Sequence, residues 1–223
     1  MLSVIVPILN EARALPALLE RLLPLTRHGC EVLFVDGGST DDSVAMIECA
    51  GFTVVNSPRG RARQMNAGAA RANGQILLFL HADTELPVGA VDCVHQALSS
   101  GLHRWGRFDV YITGRHRMLR IVSHMMNLRS RWTGIATGDQ AMFVTRADFD
   151  AVGRFPDQPL MEDIELSKRL RSLSRPACID RCVTTSGRRW ETRGVWNTIF
   201  LMWRLRWDYW RGIPAELLAR AYQ

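Results

Sequence analysis

The chain has 223 residues, 47% of them hydrophobic and 22% charged, a balance that fits one generous domain and excludes bulk disorder. Its 28 Lys and Arg against 22 Asp and Glu leave a net charge of +6, which favours anionic partners such as nucleotide phosphates or acidic lipid. Cys30, Cys49, Cys93, Cys178 and Cys182 are odd in number and irregularly spaced, which argues against a disulfide framework or a zinc site, so a reducing, cytoplasmic setting is expected.

In chain order, residues 3–8 (SVIVPI) read as a strand and not as a signal peptide, because no basic lead precedes them and Pro7, Asn10 and Glu11 break the apolar run. Helical spacing of Leu15, Leu18, Leu19 and Leu22 predicts a helix over 11–23. Residues 31–35 predict a second strand, followed by the turn residues Asp36 to Thr40 and a helix opened by Asp41 and Asp42. Residues 52–55 and 76–80 predict two further strands, with a helix over 61–72 between them. This rhythm of βαβ units predicts an α/β fold with a mainly parallel sheet flanked by helices. Beyond residue 100, strands are expected at 105–112 (antiparallel or mixed) and 141–145. A basic amphipathic helix is expected over 116–132, with Met118, Ile121, Val122, Met125 and Trp132 on one side. Further helices are expected at 162–172 and 194–211, and a last short one from Pro214. No stretch reaches the ~18–20 apolar residues of a membrane span.

Ligands in such sheets bind at the C-terminal strand ends, which directs attention to Asn10, Glu11, Asp36, His81 and Asp83. Asp36 heads a D-G-G-S-T-D-D turn that could bind a base or ribose, or simply cap itself. Asp83 ends the triplet His81-Ala82-Asp83 after the most apolar strand, where a carboxylate is costly unless paired or metal-bound. Glu162, Asp163 and Glu165 crowd a helix start, as general base candidates or as compensation of the helix dipole. Arg188-Arg189-Trp190 suits diphosphate binding and ring stacking, or is a solvated basic loop.

The order of these pieces is more telling than any one of them. V-I-V-P-x-x-N-E, D-G-G-S-T-D-D, R-x-x-Q-M-N-x-G, H-A-D, E-D-x-E-L and R-R-W follow each other from Val4 to Trp190. This arrangement resembles family 2 glycosyltransferases of the GT-A fold, of the short bacterial type without transmembrane helices. The resemblance implies a catalytic domain over 1–192, with a nucleotide-binding half to about residue 100 and an acceptor half to 192, and an amphipathic helical segment over 193–223. It implies that Pro7, Asn10, Glu11, Asp36, Arg63, Asn66, Ala82, Arg188 and Arg189 serve the donor nucleotide, a UDP- or GDP-sugar. Asp83 would ligate Mn²⁺ or Mg²⁺, with His81, which replaces the first aspartate of D-x-D, as a second ligand. Asp163, with Glu162, would be catalytic, and Trp190 and Asp139 would meet the acceptor, a hydroxyl carried on an unidentified and plausibly lipid-linked molecule. Nucleic acid is not expected as a partner. A nucleotidyltransferase of related fold is a competing reading, disfavoured because Ile8-Leu9-Asn10-Glu11 stands where a Gly-rich loop with Arg is usual. A non-catalytic membrane or nucleotide binder is another, disfavoured by the retention of Asp36, Asp83 and Asp163 together.

Trp196, Trp203, Trp207 and Trp210 recur at helical steps with Ile199 and Phe200, interspersed with Arg204, Arg206 and Arg211. The plainer expectation is that these rings pack on the domain and close the acceptor pocket. The alternative is a peripheral contact with an acidic membrane surface, at the inner face of the cell membrane.

Overall fold

In the computed structural model residues 1–222 are described, apart from the side chain of Arg189. The nucleotide-side half runs β1 (Leu2–Ile8), α1 (Leu15–Arg27), β2 (Glu31–Asp36), α2 (Ser43–Cys49), β3 (Thr53–Asn56), α3 (Arg61–Arg71), β4 (Ile76–Phe79), β5 (Thr84–Glu85) and α4 (Ala90–Ser99). The remainder runs β6 (Trp105–Thr113), α5 (Met118–Thr133), a short 3-10 turn (Gly138–Gln140), β7 (Phe143–Thr145), α6 (Arg146–Ala151), α7 (Glu162–Arg171) and β8 (Ala177–Ser186). It closes with α8 (Arg188–Arg193), α9 (Val195–Trp210) and α10 (Ala215–Tyr222).

The sheet order is β3-β2-β1-β4-β7-β6-β8-β5. The four strands β3, β2, β1 and β4 are parallel, β7 runs against β4 and β6, and β6 pairs parallel with β8. Chain connection leaves β1 toward β2 on one side while β4 returns on the other. The crevice above the ends of β1 and β4 is therefore a switch point of the kind that binds ligands.

Side-chain alternation builds three layers. Val4, Val6 and Ile8 of β1 pack in one core with Leu15, Leu18 and Leu22 of α1, while Ile5 faces a second core with Ala62, Met65 and Ala69 of α3. Each fully buried Val, Leu or Ile stabilises the fold by about 1.5–3 kcal/mol. A Cβ on Gly68 would come within 2.5 Å of the Ile5 side chain, so only glycine lets α3 lie this close to β1. On β6 the fully buried Arg107 pairs with Asp109 and reaches Ser130 Oγ (3.1 Å) and the Asn127 carbonyl (3.2 Å), clamping α5 to the strand.

Several expectations need correction. The first helix starts at Leu15 and continues through Pro24, because residues 11–14 form a turn in which Ala14 N–H donates to the Glu11 carbonyl. The helix α4, the strand β8 and the helix α6 had no reading from sequence. The Arg188-Arg189-Trp190 segment belongs to a short helix and not to a loop. On α5 the expected apolar side divides: Leu119 and Ser123 pack inward, while Ile121, Met125 and Trp132 stand exposed. The tryptophans of α9 also face outward, with Trp196 at 55% and Trp210 at 72% exposure, so packing them on the domain is not what this helix does. Its other face, through Leu205, Leu201 and Met202, packs on Met161 and Ile164 at the start of α7, together with Leu218 of α10.

Candidate active site

The switch-point crevice is a cavity of about 410 Å³. Pro7, Ile8 and Glu11 enter it from the end of β1, and His81, Ala82 and Asp83 from the end of β4. Opposite them stand Glu162 and Asp163 of α7, Thr137, Gly138 and Asp139 of the turn before β7, Trp190 of α8, and Thr198 and Arg206 of α9. The cavity thus brings together Pro7, Glu11, Ala82, Asp83, His81, Asp139, Glu162, Asp163 and Trp190 of the expected residues.

Asp163 is held by backbone. Its carboxylate accepts the Gly138 N–H at 2.8 Å and the Ile164 N–H at 2.7 Å. The adjacent Glu162 is buried, and its pKa is raised by burial first and by the Asp163 charge next. Arg61, 3.7 Å from Glu162, opposes that rise. For Asp139, burial pushes upward, but the His81 hydrogen bond, the His81 charge and the charges of Arg61 and Arg206 outweigh it and hold its pKa low. Side-chain exposure of 48% for both Arg61 and Asp139 shows that these deep groups are nonetheless wetted by the cavity.

His81 is committed to the turn beside α7. Its Nδ1 lies 3.3 Å from Asp139 Oδ1, and Nε2 is buried without a partner. A Cβ on Gly138 would sit 2.5 Å from that Nε2, so the ring is packed beneath the glycine backbone. This placement turns His81 Nδ1 toward Asp139. No group of three or more His, Cys, Asp or Glu side chains among the described residues could hold a metal alone. Oxygen donors suitable for Mg²⁺ or Mn²⁺ are present. Glu11 has its pKa raised by burial and then by the charge of Asp83, so two carboxylates face the same end of the cavity. Arg188 offsets part of that repulsion and, with Ala82, Asp83 and Ser186, lines an adjoining cavity of about 180 Å³.

Four expected donor residues are placed elsewhere. Asp36 accepts N–H bonds from Gly38 (2.9 Å) and Ser39 (3.1 Å), capping its own turn, and does not line the main cavity. Asn10 accepts the Thr40 N–H at 2.8 Å and ties the β1 loop to that turn. Arg63 pairs with Asp157 at 2.8 Å, and Asn66 bonds both backbone groups of Phe155. Helical geometry explains the last two: Arg61 and Gln64 share the cavity face of α3, and Arg63 and Asn66 are turned away from it. Arg189 has its side chain outside the described residues. Sequence reasoning gave no site role to Gln64 or Arg206, and Arg61 entered it only as the arginine of R-x-x-Q. For Gln64 the only signal was its place in R-x-x-Q; its side-chain amide donates to the Ile8 and Val35 carbonyls at 2.8 Å each, joining the ends of β1 and β2.

Comparison with known proteins agrees with this layout. Residues 3–150 match the family model described as Glycosyl transferase family 2. A PGL/p-HBAD biosynthesis glycosyltransferase of Mycobacterium tuberculosis is 29% identical over 202 residues, 81% of this chain and 73% of that protein. An undecaprenyl-phosphate 4-deoxy-4-formamido-L-arabinose transferase of Proteus mirabilis is 32% identical over 154 residues, 61% of this chain and 45% of that protein. The chain thus spans about half the length of the arabinose transferases it matches. Among solved structures, the mannosyltransferase PcManGT from Pyrobaculum calidifontis, in complex with GDP-Man and Mn²⁺, superposes with a TM-score of 0.67 at 20% identity, over 92% of this chain and 60% of that one. A glucosyl-3-phosphoglycerate synthase from Mycobacterium tuberculosis, in complex with Mn²⁺, UDP and glucosyl-3-phosphoglycerate, gives 0.60 at 17%, over 83% of this chain and 70% of that one. These likenesses show the GT-A fold that the sequence motifs led one to expect.

Proposed function

The chain belongs to glycosyl transferase family 2, and from that premise we propose that it moves a sugar from a nucleotide-diphosphate sugar to an acceptor hydroxyl, inverting the anomeric carbon. One observation carries the reading: a single cavity holds the strand-end carboxylates Glu11 and Asp83 on one side and the backbone-held Asp163 on the other. The donor nucleotide, a UDP or GDP, would lie along Pro7, Glu11 and Ala82, with Arg188 beside its diphosphate. Asp83 would hold a Mn²⁺ or Mg²⁺ ion, which supplies Lewis-acid neutralisation of charge on the departing diphosphate. The acceptor oxygen forms its bond to the anomeric carbon as the bond to the diphosphate oxygen breaks, and the electron pair leaves with the diphosphate. Asp163 takes the hydroxyl proton, a general-base contribution worth about 10²- to 10⁴-fold. Arg61 keeps Glu162 and Asp163 from repelling each other without relief, and Trp190 and Asp139 border the acceptor. Consumption of UDP- and GDP-sugars by the purified chain tests the reading. Turnover should stop in excess chelator and return with Mn²⁺; undiminished turnover in chelator would refute the metal assignment, and absence of turnover with every donor would refute the class.

The outer face of α9 supports a lipid-linked acceptor as part of this reading. Trp196, Phe200, Trp203, Trp207 and Trp210 are all more than half exposed and are flanked by Arg204 and Arg211. Rings among headgroups and cations against acidic lipid suit such a face. No helix among the described residues is long and apolar enough to cross a membrane, so the contact would be peripheral. Binding to acidic liposomes should appear at low salt, weaken as salt is added and weaken further in the Trp207→Ala/Trp210→Ala variant. Lack of binding at low salt would leave α9 as a lid only.

A further inference from the structure

Asp163 is held by two N–H groups of different origin. That of Ile164 belongs to its own helix, whereas that of Gly138 reaches it from the turn before β7. The direction of the proposed base therefore depends on where that turn lies. A second tie joins the same segment to α7, since Ser167 Oγ accepts the Ala136 N–H at 3.1 Å.

On its other side the turn meets the end of β4. The Phe79 N–H donates to the Met142 carbonyl at 2.8 Å, and the next residue, Leu80, donates to Ile5 of β1 instead. Beyond that point a side chain carries the contact. His81 is only 9% exposed, its Nδ1 lies 3.3 Å from Asp139 Oδ1, and its ring is packed under Gly138, where a Cβ would come within 2.5 Å of both Cε1 and Nε2. It stands two residues before Asp83, on the segment that presents the donor-side carboxylate to the cavity. The ring thus spans from the donor segment to the glycine whose N–H fixes the base. An apolar side chain could fill this buried space without leaving Nε2 unpartnered, so space-filling does not account for an imidazole here. What the imidazole adds is the contact with Asp139.

We propose that His81 is a positioning residue: held to Asp139 beneath Gly138, it sets the turn so that the Gly138 N–H aims Asp163 at the reacting hydroxyl. The role rests on the glycosyltransferase reading above, and it gives a separate task to the residue that stands where D-x-D has its first aspartate. Misplacing a reacting group by about 1 Å can cost about 10²-fold, so a side chain acting through this turn can govern turnover.

Three substitutions in the full chain test it. His81→Leu fills the space and removes the contact with Asp139. His81→Asn keeps a donor close to where Nδ1 stands. His81→Asp restores D-x-D but sets a second carboxylate against Asp139. Amide exchange at Gly138, followed by NMR without donor or metal, should be at least about 10-fold faster in His81→Leu than in wild type, because the turn opens more easily. Its kcat should fall about 10- to 10²-fold, with donor KM and Mn²⁺ affinity unchanged. His81→Asn should recover most of both losses, and His81→Asp neither. Should His81→Leu fail to fold, Gly138→Ala reads the link from the other side. Its methyl group pushes ring and turn apart, so the amide at that position should exchange faster and kcat should fall by a similar factor; unchanged values would overturn the proposal. Equal Gly138 exchange in wild type and His81→Leu would overturn it as well. So would Mn²⁺ affinity lost in His81→Leu and His81→Asn and restored in His81→Asp, which would make His81 a metal ligand. Exchange is read without turnover, so a wild type that consumes no donor sinks the glycosyltransferase reading, while the exchange result separately decides the link from His81 to the turn.

Discussion

At the ends of β1 and β2 and along α3, polar side chains are bonded to backbone. Asp36 closes its own turn, Asn10 ties two loops together, and Asn66 holds Phe155. Across the cavity, around α7 and α9, charges are left with incomplete or strained partnerships. Glu162 is buried with a raised pKa, His81 Nε2 has no partner, and Arg129 and Arg206 repel each other. The first region is arranged as scaffold, with its hydrogen bonds already made. The second is arranged to be completed by a ligand. Buried polar groups in folded proteins are almost always satisfied, so the unsatisfied groups on this side of the cavity support the proposal that acceptor and base lie there.

That contrast is sharpened by substitutions on each side. Asp36→Ala removes the acceptor of the Gly38 and Ser39 N–H groups and should destabilise the fold by about 1–3 kcal/mol, the scale of bonds to a charged group. Thermal or denaturant unfolding measures it, and unchanged stability would show that the turn stands without its cap. On the other side the effect is smaller and depends on pH. Glu162 has a raised pKa in the fold, so ionising it costs more in the folded than in the unfolded state. Stability should therefore fall as pH rises above the ordinary value of 4.5. Glu162→Gln should flatten that decline in a Tm-versus-pH series. An identical decline in the variant would place the strain on another group.

The fold was legible where apolar runs were continuous. The buried strands β1, β2 and β4 and the leucine face of α1 follow directly from residue type. The strand β8 was not, because Asp180 and Arg181 interrupt its pattern, and its pairing with β6 shifts register between Phe108 and Asp109. Of the site, the strand-end positions of Glu11 and Asp83 were legible because topology directs attention to such ends, whereas Asp163 was singled out through the resemblance of its E-D motif. Arg63 and Asn66 do not line the cavity, since motif spacing does not say which face of α3 turns to it. Arg206 could not be found, since it reads as one of several cations on a tryptophan-rich helix until α9 is seen packed on α7.

The central claim is that Asp163, fixed by the Gly138 and Ile164 N–H groups, is the base of a sugar transfer. Turnover of the nucleotide-sugar substrate by Asp163→Asn, with nucleoside diphosphate affinity measured in parallel, tests it most directly. Asparagine keeps the size and one acceptor oxygen but cannot take the proton. The account predicts turnover lowered at least about 10²-fold with nucleotide affinity nearly unchanged; near-normal turnover in this variant would contradict it.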